Sequence, residues 1–209
     1  MKEIFYDWGG ANVWLFHAIN DIRFEWLDKV MLLGTALGDH NLFIPYLALL
    51  TLFALVAVNR PDQDHRHYQL QATRWMSVVA VFTIAYLLDG LLLGYIKPML
   101  DFSRPPLALL PGTVNVIGIP EYHHSLPSGH SSFAMLVTAS LWPVLKRKWR
   151  VAGVCFVAWV GISRVNLGAH FPADVLAGFV SSLAVVLLVL VAIRKLLRLP
   201  VVDPAPPVI

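Results

Sequence analysis

Apolar residues in this chain come in long unbroken blocks rather than in the narrow stripes of a soluble fold. A helix needs about 20 predominantly apolar residues to cross the hydrocarbon core of a bilayer. Residues 42–58, 76–96 and 175–193 qualify; residues 131–145 and 151–163 are shorter and extend into the polar positions beside them. The pattern predicts an all-α fold, a polytopic membrane helical bundle of five to six transmembrane helices. Ahead of residue 42 the pattern is mixed. Residues 11–20 are too few to cross, and residues 24–37 interleave charge with apolar side chains. An interfacial helix followed by a partly inserted one fits, with a sixth span as the alternative. Residues 1–199 then make a single membrane-embedded domain, with 1–40 as its interfacial or partly inserted segment and the Pro-rich 200–209 as a disordered tail.

Composition supports the membrane class. Of 209 residues 57% are hydrophobic and 14% charged, where a soluble domain carries about 25% charged residues. The net charge is +3, and its placement says more than its size. Arg60, Arg66 and Arg74 follow the first block; Lys146, Arg147, Lys148 and Arg150 lie between the third and fourth; Arg194, Lys195 and Arg198 follow the last. Five spans put all three groups on one side, which the positive-inside bias makes cytoplasmic. Between spans such clusters mark cytoplasmic loops, so no nucleic-acid partner is expected. Cys155 is the only cysteine, which excludes an intrachain disulfide. The first ten residues lack the basic start and apolar run of a cleavable signal peptide. Trp8, Trp14, Trp26, Trp75, Trp142 and Trp149 sit mostly near block ends and read as interfacial anchors.

The unusual polar residues gather in the two segments left on the other side, residues 97–129 and 164–173. Three clusters stand out: Lys97 with Arg104 and Pro105; Pro127-Ser128-Gly129-His130; and Ser163-Arg164 followed by His170 and Asp174. Singly, each has an ordinary explanation: a snorkelling cation, a serine helix cap, a helix-start ion pair. Together, three cations at the edge of a low-dielectric slab, with few acidic partners, call for an anion. Guanidinium forks and an ammonium suit phosphate oxygens. A helix starting after Pro127 adds free backbone N–H groups and a positive dipole end. His170 and Asp174, four apart, are expected on one helical face, the carboxylate fixing one imidazole nitrogen and leaving the other free. His130 supplies a second imidazole able to protonate a leaving oxygen.

In order and spacing these clusters resemble the three-part signature of the type 2 phosphatidic acid phosphatase family, over about residues 89–178. The resemblance implies a metal-independent membrane phosphatase that needs no cofactor. It implies that His170 attacks phosphorus to form a phosphohistidine, that Asp174 orients it, and that His130 protonates the departing lipid and then serves as base for water. Lys97, Arg104, Ser128, Gly129 and Arg164 would cradle the phosphate. The implied partners are a lipid phosphate substrate and the bilayer; no protein partner is indicated. The family's substrates include undecaprenyl diphosphate, phosphatidylglycerophosphate, phosphatidic acid and lipid A phosphates. The compact chain resembles the small bacterial undecaprenyl-diphosphate members most, which implies a bacterial inner membrane and an outward-facing active site.

Competing readings are a lipid phosphotransferase with the same site, a metal-dependent hydrolase built from His123, His124, His130, His170 and Asp174, and a non-catalytic lipid carrier. Pro98 should end or kink the second span. Asp89, inside that span, fits a functional or a structural role equally. Residues 39–41 read as an interfacial loop, and His123 and His124 as residues that could shape access to the site.

Overall fold

The computed structural model describes residues 6–59 and 65–196; Arg60, Arg198 and the tail at 200–209 lie outside them. All regular elements among the described residues are helical. A 3-10 turn at Trp8–Gly10 leads into α1 (Ala11–Asn20), followed by α2 (Glu25–Leu37) and, after a second 3-10 turn at His40–Leu42, α3 (Phe43–Val58). Then come α4 (His65–Leu100), the short α5 (Pro105–Ala108), α6 (Gly129–Leu141), α7 (Arg147–Asn166) and α8 (Pro172–Leu196).

α6 is the centre of the bundle, packed against α4, α7 and α8. Its Phe133, Leu136 and Val137 meet Val78, Val81, Phe82 and Ala85 of α4 and Val185, Val186 and Val189 of α8. α3 closes the outer side of α4, with the rings of Phe43 and Tyr86 stacked at 3.8 Å. α2 packs along α7, where Gly34 lies against Trp159. Between apolar helices in lipid there is little hydrophobic drive, so such close contacts carry the packing. The lipid-facing side is plain: Phe53, Leu91 and Leu188 are 64%, 73% and 71% exposed.

Among the described residues three stretches are long and apolar enough to cross a membrane: His40–Val58, His65–Ala108 and Pro172–Leu196. The block at 131–145 is shorter as a helix than expected. α6 has 13 residues, about 20 Å at 1.5 Å per residue, and it is enclosed by its neighbours. α7 has 20 residues but holds Arg147, Lys148, Arg150 and Arg164. Arg66 and Arg74, read from the sequence as loop residues, lie on the first turns of α4. A helix that leaves the bilayer loses its apolar signature but not its backbone. Pro98 does not break α4 where expected; the helix runs to Leu100, and the Asp101 amide closes on the Lys97 carbonyl at 3.0 Å.

The N-terminal segment locks onto the same end of the bundle as the polar clusters. Asn12, Phe16 and Asn20 make one buried face of α1. The Asn20 side-chain amide donates to the carbonyls of Asn115 and Asn166, both at 2.8 Å. Asn12 accepts from the Ala173 amide at 3.0 Å, in the first turn of α8.

Candidate active site

α7 ends in a wrap that turns the chain back on itself. The amides of Ala169 and His170 both donate to the Arg164 carbonyl, at 3.0 and 3.2 Å. Gly168 makes the wrap possible: its φ is +74°, and a Cβ there would stand 2.5 Å from the Asn115 carbonyl oxygen. Pro172 then opens α8, and Asp174, its third residue, accepts from the Phe171 amide at 2.8 Å. This is the reciprocal half of a helix-capping box. His170 therefore stands outside α8, and the expectation of a pair on one helical face is corrected. A residue before proline avoids helical backbone, so the helix starts too late to include it. The two side chains meet all the same, with His170 Nδ1 3.4 Å from Asp174 Oδ2.

Arg104, 5% exposed, is clamped by the loop ahead of α6. Its Nε donates to the His123 carbonyl at 2.9 Å and its Nη2 lies 2.6 Å from Glu121 Oε2. Its Nη1 reaches His170 Nε2 at 3.2 Å. An arginine N–H can only donate, so Nε2 is the accepting, lone-pair nitrogen of His170 and the proton belongs on Nδ1, toward Asp174. Burial, then the charges of Arg104, Arg164, Lys97 and His130, hold the His170 imidazole well below the usual histidine range. It is neutral.

The second corner is built by the start of α6. The Ser128 hydroxyl accepts from Ser131 Oγ at 3.0 Å and from the Ser131 amide at 3.5 Å, and its own amide donates to the Asp174 carbonyl at 2.9 Å. Gly178 lets α8 come this close: a Cβ on it would stand 2.5 Å from the Ser128 carbonyl oxygen. The amides of Gly129 and His130, first in the helix, have no intrahelical acceptor. Lys97 Nζ lies 3.9 Å from where a Gly129 Cβ would be. The His130 ring stands edge-on to His40, centroids 6.5 Å apart. Burial first, then Arg164, push the His130 imidazole down to about 3, against the pull of Asp39. Arg164 Nη1 donates to Thr35 Oγ1, while its buried Nε has no hydrogen-bond partner among the described residues.

All eight residues singled out from the sequence, Lys97, Arg104, Ser128, Gly129, His130, Arg164, His170 and Asp174, thus gather at one end of the bundle. The cations are not all without acids, however: Glu121 pairs with Arg104. Asp89 has a structural partner, accepting from Ser132 Oγ at 2.6 Å. His123 and His124 turn their Nδ1 atoms to Asp101, at 3.5 and 3.2 Å. In the 39–41 turn, expected to be an interfacial loop, His40 stands beside the site with its ring against His130. Tyr6, Thr35, Glu121 and Ser125 escaped the sequence reading; each is an ordinary polar residue far along the chain from its partner, with no local pattern to mark it.

The arrangement can seat a tetrahedral anion between a neutral imidazole and converging N–H donors, and the chain as a whole is similar to known proteins. A lipid A 1-phosphatase from Rhizobium johnstonii is 31% identical over 106 residues, 50% of this chain and 42% of that protein. The chain thus spans under half the length of the Rhizobium lipid A 1-phosphatases it matches. An undecaprenyl-diphosphatase from Sulfolobus acidocaldarius is 28% identical over 81% of this chain and 72% of its own. A phosphatidylglycerophosphatase B from Bacillus subtilis is 31% identical over 76% and 71%. Among solved structures, LpxE of Aquifex aeolicus shares the fold with a TM-score of 0.70, at 24% identity over 86% of this chain and 94% of that one. A PAP2 type phosphatidylglycerolphosphate phosphatase from Bacillus subtilis gives 0.64, at 26% identity over 93% and 90%. The PAP2 superfamily model matches residues 74–198, more than half of the sequence, and the chain belongs to that superfamily.

Proposed function

We propose that this chain is an integral membrane phosphatase that hydrolyses a lipid phosphate or diphosphate, without a metal, through a phosphohistidine on His170. The observation that carries the reading is the pairing of His170: Nδ1 turned to Asp174 and Nε2 turned, with its lone pair, to the Arg104 guanidinium. A phosphoryl group entering there would replace Nε2 as the acceptor for Arg104 and meet Nε2 as nucleophile. The P–O bond to the lipid breaks as the N–P bond forms, and His130 supplies the proton that leaves with the lipid oxygen. Water then attacks the phosphohistidine, His130 takes its proton, and inorganic phosphate departs. Lys97, Arg104, Arg164, Ser128 and the Gly129 amide would stabilise the charge that spreads over the phosphoryl oxygens. The site draws on residues from 35 to 174, in keeping with one domain over residues 1–199. Among the described residues no three His, Cys, Asp or Glu side chains cluster as a metal centre would need.

Undecaprenyl diphosphate is the first-choice substrate, supported by the Sulfolobus relative that aligns with most of this chain. Phosphatidylglycerophosphate, phosphatidic acid and lipid A phosphates are the alternatives, and a lipid acceptor in place of water would make the same site a phosphotransferase. The basic residues at the far ends of α4, α7 and α8 favour a bacterial inner membrane with the site on its outer face. The test is phosphate release from a panel of purified lipid phosphates in detergent, comparing wild type with His170→Ala. Release that needs no divalent cation, is blocked by vanadate and vanishes in His170→Ala is the expected result. Lipid binding with no release in either protein would favour a carrier.

A further inference from the structure

Asp174 is completely buried, yet its carboxylate is surrounded by more donors than the His170 pair requires. Tyr6 Oη donates to Oδ1 at 2.9 Å across 168 residues of chain. Ser125 Oγ donates to Oδ2 at 2.5 Å and also lies 3.4 Å from His170 Nδ1. With the Phe171 amide, three donors converge on one carboxylate. Nothing in the nucleophile, acid or phosphate-cradle roles uses Tyr6 or Ser125. Resting on the phosphohistidine reading above, we propose that Tyr6 and Ser125 are positioning residues: their hydroxyls fix the Asp174 carboxylate in the plane that keeps the His170 proton on Nδ1 and its lone pair on Nε2.

The geometry explains why two hydroxyls are needed. The Nδ1 to Oδ2 separation of 3.4 Å is long for a charge-assisted bond, so His170 alone does not hold the carboxylate. Oδ1, on the far side, would be a bare buried oxygen without Tyr6. An unpaired buried acceptor is costly, and a carboxylate free to rotate could present either oxygen to the ring. Ser125 bridges the two side chains, and its amide is tied to the Phe102 carbonyl at 2.9 Å, so its position is set by backbone. Tyr6 is set by packing: its ring lies 4.4 Å from that of Phe102 and 6.1 Å from that of Phe171, centroid to centroid. Burial and the neighbouring carboxylate push the Tyr6 hydroxyl pKa up, so it stays a donor. On its other side Tyr6 lines a cavity of about 370 Å³ with Asp7, Asn12 and Leu109. Phenylalanine keeps that wall and removes only the hydroxyl.

The experiment measures kcat and KM for phosphate release by the full chain in detergent micelles for Tyr6→Phe, Ser125→Ala, Asp174→Asn and the two double variants with Asp174→Asn. Losing one hydrogen bond to a buried charge should lower kcat about 10-fold in each single hydroxyl variant, with KM changed by less than about twofold. In the Asp174→Asn background the same substitutions should add less than about twofold, because residues that act through Asp174 have nothing left to position. The burst of phosphohistidine formation should slow by the same factor as kcat. Wild-type kcat in both Tyr6→Phe and Ser125→Ala would overturn the proposal, as would losses of equal size with and without Asp174. Full phosphate release by His170→Ala is a different failure: it removes the phosphohistidine itself, and this proposal with it.

Discussion

His170 is 1% exposed and both of its ring nitrogens face named partners, whereas His130 is half-buried and its ring stands against the edge of His40. The contrast extends to their arginines. Arg104 spends its N–H groups on two carbonyls, a carboxylate and His170. Arg164 has one side-chain acceptor, Thr35, and a buried Nε with none. A buried donor without an acceptor costs about 1–3 kcal/mol. One half of the site therefore has its side chains paired, and the other holds a buried donor with no acceptor among the described residues. In the proposed chemistry that division is sensible. The nucleophile must be aligned before substrate arrives, while the acid needs a proton it should hold only when phosphate is there.

The sharpest way to break the comparison is to remove each imidazole and vary the leaving group. His170→Ala should lower phosphate release by at least about 1000-fold on any substrate, since no covalent intermediate can form. His130→Ala should lose about 100- to 10,000-fold on a lipid phosphate. On an aryl phosphate, whose leaving group needs no proton, it should still transfer the phosphoryl group and then stall. Acid-stable counting of labelled phosphoenzyme is not suited to phosphohistidine, so trapping in alkali is the measurement. Label should build up in His130→Ala and be absent from His170→Ala. Label in His170→Ala with none in His130→Ala would reverse the assignment.

The arginines give the next contrast. Arg104→Lys breaks a fork that holds the loop ahead of α6, so it should lower both the melting temperature and kcat, by about 100-fold for kcat. Arg164→Lys deletes the Nε donor, which has no acceptor among the described residues, and leaves an ammonium that can still donate to Thr35. It should leave the melting temperature within about 2 °C of wild type and raise the inhibition constant of vanadate about 10-fold. A thermal scan with and without vanadate separates the two. If Arg164→Lys destabilises as much as Arg104→Lys, the Arg164 corner serves the fold rather than an anion.

This division also marks where the sequence was legible. Hydropathy located α3, the apolar part of α4 and α8, because lipid contact selects apolar residues turn after turn. It stopped at residue 76 of α4, which begins at His65, since the helix outside the bilayer is polar. The three motif clusters predicted the convergence of His130, Arg164, His170 and Asp174, because alternating spans must return these loops to one face. Their local geometry was less legible. The spacing of His170 and Asp174 suggested a shared helical turn, and only Pro172 at the start of α8 shows why the turn begins later. Tyr6, Ser125 and Thr35 carried no signal at all. A lone hydroxyl becomes part of a site through a contact spanning tens of residues or more, and no periodicity records that.

Where α8 meets α6 a smaller effect tests how rigidly the two halves are joined. Gly178→Ala would place a methyl group 2.5 Å from the Ser128 carbonyl oxygen and 3.1 Å from the Ser132 nitrogen. Both are backbone atoms and cannot swing aside. Overpacking of this kind costs about 1–3 kcal/mol, and the start of α6 should shift away from Asp174. Because Ser128 and His130 ride on α6 while His170 does not, kcat on a lipid phosphate should fall several-fold, with aryl phosphate labelling of His170 nearly unchanged. Parallel losses in both assays would mean that the halves move as one.

The smallest effect concerns protons, and it follows from the electrostatics around His130. His130 sits ahead of the apolar block of α6 and is held down at about 3 by burial and by Arg164. At pH 7 it is neutral and cannot act as an acid. An anion seated beside it favours the imidazolium, so binding must raise that pKa, and protons are taken up wherever the pH lies between the old value and the new one. The sign is fixed: affinity for a non-titrating tetrahedral dianion falls as pH rises through the bound-state value, and is independent of pH above it. Sulfate is the suitable probe, since its own charge is constant from pH 5 to 8. Calorimetry in buffers of different ionisation enthalpy should record an uptake of less than about one proton at pH 6 and a smaller one at pH 8. His130→Ala should lose most of it. An uptake unchanged in His130→Ala would assign the proton to another group that faces the anion, Lys97 or His170, and would leave His130 without its role as the acid.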